Sequence, residues 1–236
     1  FGAWMLKPYH DKSDFEGQNV TPVEELRNIA SLCMAHDLQF CVHAIGDRGN
    51  RVVLDLYEEA FKTAPEKSNL RWRVEHAQVV SQQDFEMYKT IVPSVQPTHA
   101  TSDMYWAEQR LGNERVKGAY AYKQLLNAHG KIALGTDFPV EHVSPFLTFY
   151  AAVARQDTKQ FPKDGFQKED ALTREEALKG MTIWAAYSNF EEHEKGSIEI
   201  GKFADFIVLD KDIMTVGVYD IPNIKVEQTF VDGVKR

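Results

Sequence analysis

The stretch Lys131–Glu141, KIALGTDFPVE, decides how this chain folds. Ile132 to Leu134 is a short apolar run that stops at Gly135 and Thr136, and an acid, Asp137, follows before Phe138 and Pro139. Alternation along a strand puts Ala133, Gly135 and Asp137 on one face, with Ile132 and Leu134 on the other. Small residues leading up to a carboxylate suit a crowded barrel interior that opens onto a site. Taken alone, Asp137 reads equally well as a turn or cap aspartate closing a strand. Three earlier segments that end in the same way give it more meaning.

In the first, Leu38–Val42, the side chains of Leu38, Phe40 and Val42 share one face, and Gln39, Cys41 and His43 share the other. If helices cover the first face, His43 points inward at the strand's end. A helix follows from about Asn50, with Val53, Leu56, Tyr57, Ala60 and Phe61 on its apolar stripe. The second strand, Leu70–Glu75, ends at His76, and Ser81 is expected to cap a short helix around Phe85–Tyr88. The third, Ile91–Gln96, has His99 just beyond it. An excursion over residues 101–114 then leads to a helix through Tyr120, Leu125 and Leu126, which Gly130 stops. After Asp137 a helix is expected over Pro145–Gln156, and Thr173-Arg174-Glu175-Glu176 caps another that runs to about Tyr187. Upstream, residues 1–20 read as a loop. Thr21-Pro22-Val23-Glu24 reads as a capping box opening a helix with Leu26, Ile29, Ala30 and Cys33 on its stripe.

Four consecutive strand–helix units imply parallel strands joined by right-handed crossovers. An open doubly wound sheet would bring a glycine-rich phosphate loop, and none is present. In a (β/α)8 barrel, catalytic groups cluster where strands end, which is where His43, His76, His99 and Asp137 fall. The barrel is therefore the expected fold. The second strand conflicts with it: Arg71, Arg73 and Glu75 lie opposite His76. A buried ionic network, a bulge or a reversed pair of faces would each account for this; with Trp72 and Val74 taken as interior fillers, His76 is placed inward. After residue 195, recurring glycines and the β-runs Ala204–Leu209 and Val226–Val231, with a turn at Asp232-Gly233, mark a small β subdomain. The expected division is 1–195 for the barrel part and 196–236 for the β part.

The 236 residues include 27 basic and 35 acidic ones, a net charge of −8, which argues against a nucleic-acid or anionic-membrane partner. No apolar run is long enough to span a bilayer. Cys33 and Cys41 are too few for a disulfide framework and read as reduced, small hydrophobes. A small-molecule substrate and a cytoplasmic location are expected, with homo-oligomerisation left open. The start at Phe1 and the short tail after Gly233 suggest a piece of a longer protein.

Two histidines and an aspartate converging at strand ends suit a divalent metal, zinc above others, because neutral imidazole and carboxylate are both good ligands for it. His43, His76 and Asp137 are the candidate ligands. A metal would lower the pKa of a bound water towards neutrality, and Asp137 could take its proton and pass it to a leaving nitrogen. His99, Asp103 and Glu141 are the candidate substrate contacts; a turn histidine and solvated loop acids are the competing readings. Asp47 is expected to hold its loop through backbone hydrogen bonds, with Arg48 paired locally. Tyr105 and Trp106 wall a pocket or anchor the long loop. His10, His36, His129 and His193 are assigned no role.

The segments VHAIGD with His43, RVEHAQ with Glu75 and His76, SVQPTHATSDMYWAEQRLG, GTDFPVE with Asp137, and TIWAAYSNFEEHEKGSIEIGKFADFIVLD together resemble the amidohydrolase superfamily. They are most similar to its branch containing N-substituted formamide deformylases. The resemblance covers nearly the whole chain, with five motifs in order. It implies the second half of a distorted (β/α)8 barrel, strands five to eight, plus part of a flanking β-sandwich, and hydrolysis of a non-peptide C–N bond. His43 and His76 would be the ligands of strands five and six, and Asp137 the strand-eight ligand and general base, with one or two ions in a complete site. The family's His-x-His pair on strand one and its bridging residue on strand four are not found here, so the chain alone is expected to be inactive. A non-catalytic binding or regulatory protein on this scaffold, and a metal-dependent ester or phosphoester hydrolase, are the alternatives.

Overall fold

Trp72 organises the first of two units into which the chain divides. The structure, a computed structural model, describes residues 1–236; one unit comprises Phe1–Val95 and Asp103–Ile132, the other Gln96–Ser102 and Ala133–Arg236. In the first unit, helix α1 (Val23–Ala35) precedes strand β1 (Cys41–Ala44), helix α2 (Asp47–Thr63), strand β2 (Arg73–His76) and strand β3 (Val92–Val95). β1, β2 and β3 pair in parallel, with Cys41 opposite Arg73, His43 opposite Glu75 and Arg73 opposite Val92. This is the strand–helix–strand order read from the sequence.

The register corrects the reading of the second strand. Trp72 and Val74 are fully buried, and Trp72 meets Tyr57 and Phe61 of α2 at 4.9 and 4.8 Å between ring centroids, with Phe40 at 5.6 Å. The helices therefore cover the Trp72 face. Cys41, His43, Arg73 and Glu75 share the opposite face, where Arg73 Nε donates to Glu75 Oε1 at 2.6 Å. The faces of this strand are therefore the reverse of those expected: Trp72 is buried against α2 and does not fill the interior beside His43. Both cysteines are free thiols as expected, Cys33 buried and Cys41 exposed, so Cys41 is no core hydrophobe.

Two capping expectations fail and one holds. α1 starts at Val23 with Pro22 at its N-cap, and Thr21 makes no cap bond; the Pro22 carbonyl accepts from the amides of Glu25 and Leu26 at 3.0 and 3.2 Å. Ser81 likewise makes no side-chain cap to the 3-10 segment Gln82–Lys89. α2 begins three residues earlier than expected, at Asp47, because the Trp4 carbonyl accepts from the amides of Arg48 and Gly49 at 3.2 Å each. That approach needs Gly46: a Cβ there would sit 2.0 Å from the Trp4 oxygen. The segment 101–114, read as an excursion, is largely helical. Helix α3 (Pro97–Asp103) ends where the first unit resumes, and helix α4 (Ala107–Arg115) contains a glycine kink at Gly112. Helix α5 (Tyr122–His129) closes on Gly130 in the left-handed region, with its amide on the Leu126 carbonyl at 2.7 Å.

The second unit carries strand β4 (Ala133–Leu134), helix α6 (Pro145–Ala154), and helices α7 (Arg174–Met181) and α8 (Ile183–Ser188). The Thr173 capping box is present in full: Thr173 Oγ1 accepts from the Glu176 amide at 3.2 Å, and Glu176 Oε2 accepts from the Thr173 amide at 2.8 Å. The helix expected to reach Tyr187 breaks at Thr182, whose backbone is non-helical. Strands β5 (Phe206–Leu209), β6 (Val226–Val231) and β7 (Val234–Lys235) form an antiparallel sheet, with Phe206 stacked on Phe230 at 4.6 Å. Asp232 and Gly233 take positive φ, the conformation of a tight hairpin turn. No helix is long and apolar enough to cross a membrane.

Candidate functional site

In the first unit the C-terminal ends of β1 and β2 bring two imidazoles together. His43 is exposed, His76 is half-buried, and their ring centroids lie 4.3 Å apart, edge to face. Regular alternation would send His76 to the Trp72 side, since Ala44 is its partner across the ladder. Instead His76 and Ala77 take positive φ, 75° and 43°, and the chain turns out of the strand there. A left-handed backbone at non-glycine residues is unusual and clusters where a side chain must be re-aimed. His76 thus reaches His43 by a backbone twist at the strand end, while the alternation that suggested its direction does not hold.

The second unit assembles a different set. His99 lies buried on α3, with Nδ1 3.0 Å from Glu141 Oε1 and Nε2 3.3 Å from Asp137 Oδ2. Both carboxylates come from one turn: the Asp137 carbonyl accepts from the amides of Val140 and Glu141 at 2.8 and 3.4 Å. Asp137 itself has φ 56°. Glu141 Oε1 also accepts from Ser102 Oγ at 2.6 Å. Ser102, one turn beyond His99 on the same helix, was not singled out in the sequence; the i, i+3 spacing of the two polar residues was the available signal.

Asp103, the third candidate substrate contact, is engaged within the first unit. Its Oδ2 accepts from the Tyr120 hydroxyl at 2.7 Å and from Gln78 Nε2 at 3.1 Å. Burial, together with the Asp103 charge, pushes the Tyr120 hydroxyl far above its ordinary pKa, so it stays a donor. Asp47 holds its surroundings as expected, accepting from the distant Leu6 amide at 2.7 Å; burial raises its carboxyl pKa despite that bond. Arg48 pairs with Glu16 at 3.3 Å and stacks over Trp4. Tyr105 and Trp106 are exposed. Asn50 is a structural residue that sequence reasoning passed over. Fully buried, it spreads Nδ2 over the carbonyls of Ala44, Ile45, Gly46 and Val79 and accepts from the Tyr88 hydroxyl at 2.7 Å. It pins the turn that follows His43.

The donor types fit a divalent cation. His43 and His76 offer two imidazoles in the first unit, and His99 and Asp137 offer an imidazole and a carboxylate in the second. Imidazole and carboxylate are the ligands zinc and its neighbours take.

A family model described as the amidohydrolase family matches residues 1–235. Protein LONG AFTER FAR-RED 3 of Arabidopsis thaliana is 32% identical over 234 residues, 98% of this chain and 40% of that protein. The N-substituted formamide deformylase of Arthrobacter pascens is 26% identical over 224 residues, 93% of this chain and 40% of that protein. Among solved structures, an uncharacterised metal-dependent hydrolase from Pyrococcus horikoshii superposes with a TM-score of 0.78 at 33% identity, covering 92% of this chain and 43% of that one. The chain therefore spans less than half the length of these relatives. With the family match running through all but the last residue, the chain belongs to the amidohydrolase family.

Proposed function

We propose that this chain contributes the ligands of strands five to eight to a metal-dependent hydrolase of non-peptide carbon–nitrogen bonds, in an amide, formamide or cyclic amide. On this reading β1 to β4 correspond to the last four strands of a distorted (β/α)8 barrel, and residues 196–236 to part of a flanking β subdomain. The observation that carries the proposal is the His43–His76 pair at neighbouring parallel strand ends, in a chain of this family. His43, His76 and Asp137 would hold the cation, zinc in the first instance. The cation, when bound, supplies the Lewis acidity that makes water a nucleophile near neutral pH.

The chain's own residues do the rest. Asp137 takes the proton of the attacking water and returns one to the leaving nitrogen. His99, 3.3 Å from Asp137 Oδ2, keeps that carboxylate oriented and faces the reacting group. Asp103 and Glu141 border the substrate and are themselves held, Asp103 by Tyr120 and Gln78, Glu141 by Ser102. No His-x-His pair occurs in these 236 residues, and on this reading the chain alone turns over slowly or not at all.

The test is a screen of N-formyl, N-acyl, ester and phosphoester substrates on a polypeptide of the relatives' length that contains this chain. Hydrolysis of the C–N substrates, abolished by chelation and by Asp137→Asn, is expected. Preferential ester or phosphoester turnover, or indifference to chelation, would overturn the proposal.

A further inference from the structure

We infer that Asn50 is a positioning residue for the two strand-end imidazoles: its side-chain amide ties the exit of β1 to the exit of β2 and so holds His76 against His43. This rests on the reading of His43 and His76 as metal ligands, but the bonds that carry it stand without a metal. Asn50 lies in the first turn of α2 and is fully buried. Its Nδ2 meets the carbonyls of Ala44, Ile45, Gly46 and Val79 at 3.0 to 3.3 Å, and its Oδ1 accepts from the buried Tyr88 hydroxyl at 2.7 Å. Carbonyls cannot donate, so only one orientation of the amide works. The Ile45 and Gly46 carbonyls also take backbone amides, from Val79 and Asn50 at 2.9 Å each. The Nδ2 hydrogens therefore matter most to Ala44 and Val79. Ala44 follows His43 directly, and Val79 lies three residues beyond His76.

The tie matters because His76 is aimed by a costly stretch of backbone. His76 and Ala77 take φ of 75° and 43°, a region disfavoured for any residue with a Cβ. Such a conformation persists only where its surroundings over-determine it. The residues just beyond are fastened one by one. The Gln78 carbonyl accepts from the Tyr120 amide at 2.7 Å, and the Val80 amide donates to the Gly118 carbonyl at 2.8 Å. Between them, the Val79 amide donates to the Ile45 carbonyl at 2.9 Å, and the Val79 carbonyl accepts from Asn50. The two Val79 bonds are the ones that join the β2 exit to the β1 exit. Without the Asn50 half, residues 76–79 relax towards ordinary φ values, and the His76 ring leaves its 4.3 Å contact with His43. Two imidazoles already in place spare an arriving ion the cost of ordering them. Asn50 then acts through the backbone of both histidines, and its effect falls on metal affinity.

The test uses the 236-residue chain and two readouts, the proton NMR contact between the His43 and His76 rings without metal, and zinc affinity by calorimetry. The ring contact is expected in the wild type. It should be lost in Asn50→Ala and in Asn50→Asp, which keeps an acceptor for Tyr88 but removes the donor. Zinc affinity should fall by about 10- to 100-fold in both variants, the range for losing an outer-shell partner. Leu126→Ala, a core truncation on α5, is the control for general loosening and should keep both readouts. A folded Asn50→Ala with the wild-type ring contact and affinity would overturn the inference. So would equal losses in Leu126→Ala. A wild type without the ring contact, or one whose Asn50 side-chain hydrogens exchange as fast as those of the exposed Asn69, would overturn it whether or not the variants fold. A wild type that binds no zinc would end the metal reading alone, and the ring contact in the Asn50 variants would still decide the positioning role.

Discussion

Trp72 lies edge-on to Tyr57, 4.9 Å between ring centroids, and that contact settles which side of β2 faces the helices. The Tyr57 hydroxyl reaches past it to the carbonyls of Phe40 and Arg73 at 3.1 and 3.0 Å, tying α2 to both neighbouring strands. With Trp72 under the helix layer, Arg73 and Glu75 are left beside Cys41 and His43 on the open face.

Trp72→Ala should therefore cost about 3–5 kcal/mol of stability, the range for emptying an aromatic from a packed core. Glu75→Gln, on the open face with its side chain 28% exposed, should cost under about 1 kcal/mol. Urea denaturation of the two variants compares them directly. Equal losses would mean that both faces are equally buried.

Asn50 predicts a second asymmetry. Asn50→Ala removes the side-chain donor from the buried carbonyls of Ala44 and Val79 and leaves the Tyr88 hydroxyl without its acceptor, a loss of about 2–4 kcal/mol. Tyr88→Phe removes only the last of these bonds and should cost about 1 kcal/mol. A nitrogen-15 spectrum of Asn50→Ala should also show the His43 ring disturbed, because the turn that follows it has been released.

His129 carries a pH signature. Burial lowers its pKa, and the backbone contact to the Tyr88 carbonyl, 3.1 Å from Nδ1, offsets only part of that shift. A base whose pKa is lower in the folded state loses stability as pH falls, because the unfolded chain takes the proton first. The loss should begin as pH drops through the unfolded value of about 6.5 and level off below the folded one. The difference in unfolding free energy between wild type and His129→Gln, followed from neutral to acid pH, should shrink over that window. A constant difference would show that His129 does not titrate differently on folding.

Much of the fold was legible because strand ends and helix stripes are local. His43, His76 and Asp137 all lie at or just beyond strand ends, Val226–Val231 is a strand with the bounds read from sequence, and Gly130 stops α5. What was illegible depends on contacts made across the chain. Thr173 caps its helix while Thr21, with the same pattern, does not, since a proline at the N-cap shifts the start of α1. The start of α2 moved to Asp47 because the backbone of Trp4 docks on it. The side of β2 was misjudged because alternation cannot say which face meets helices, and His76 was re-aimed by a positive φ that no periodicity encodes. His99 was placed beyond a strand, correctly, yet its two acidic neighbours emerge only when the turn from Asp137 to Glu141 closes on it.

Zinc titration of the 236-residue chain, followed by calorimetry, is the most direct test of the metal reading. Weak stoichiometric binding is predicted, lost in His43→Ala, in His76→Ala and in Asp137→Ala, and retained in the control His193→Ala, whose ring is solvated on the surface. Binding that survives in both strand-end histidine variants, or that disappears in His193→Ala, would contradict the assignment of His43 and His76 as ligands.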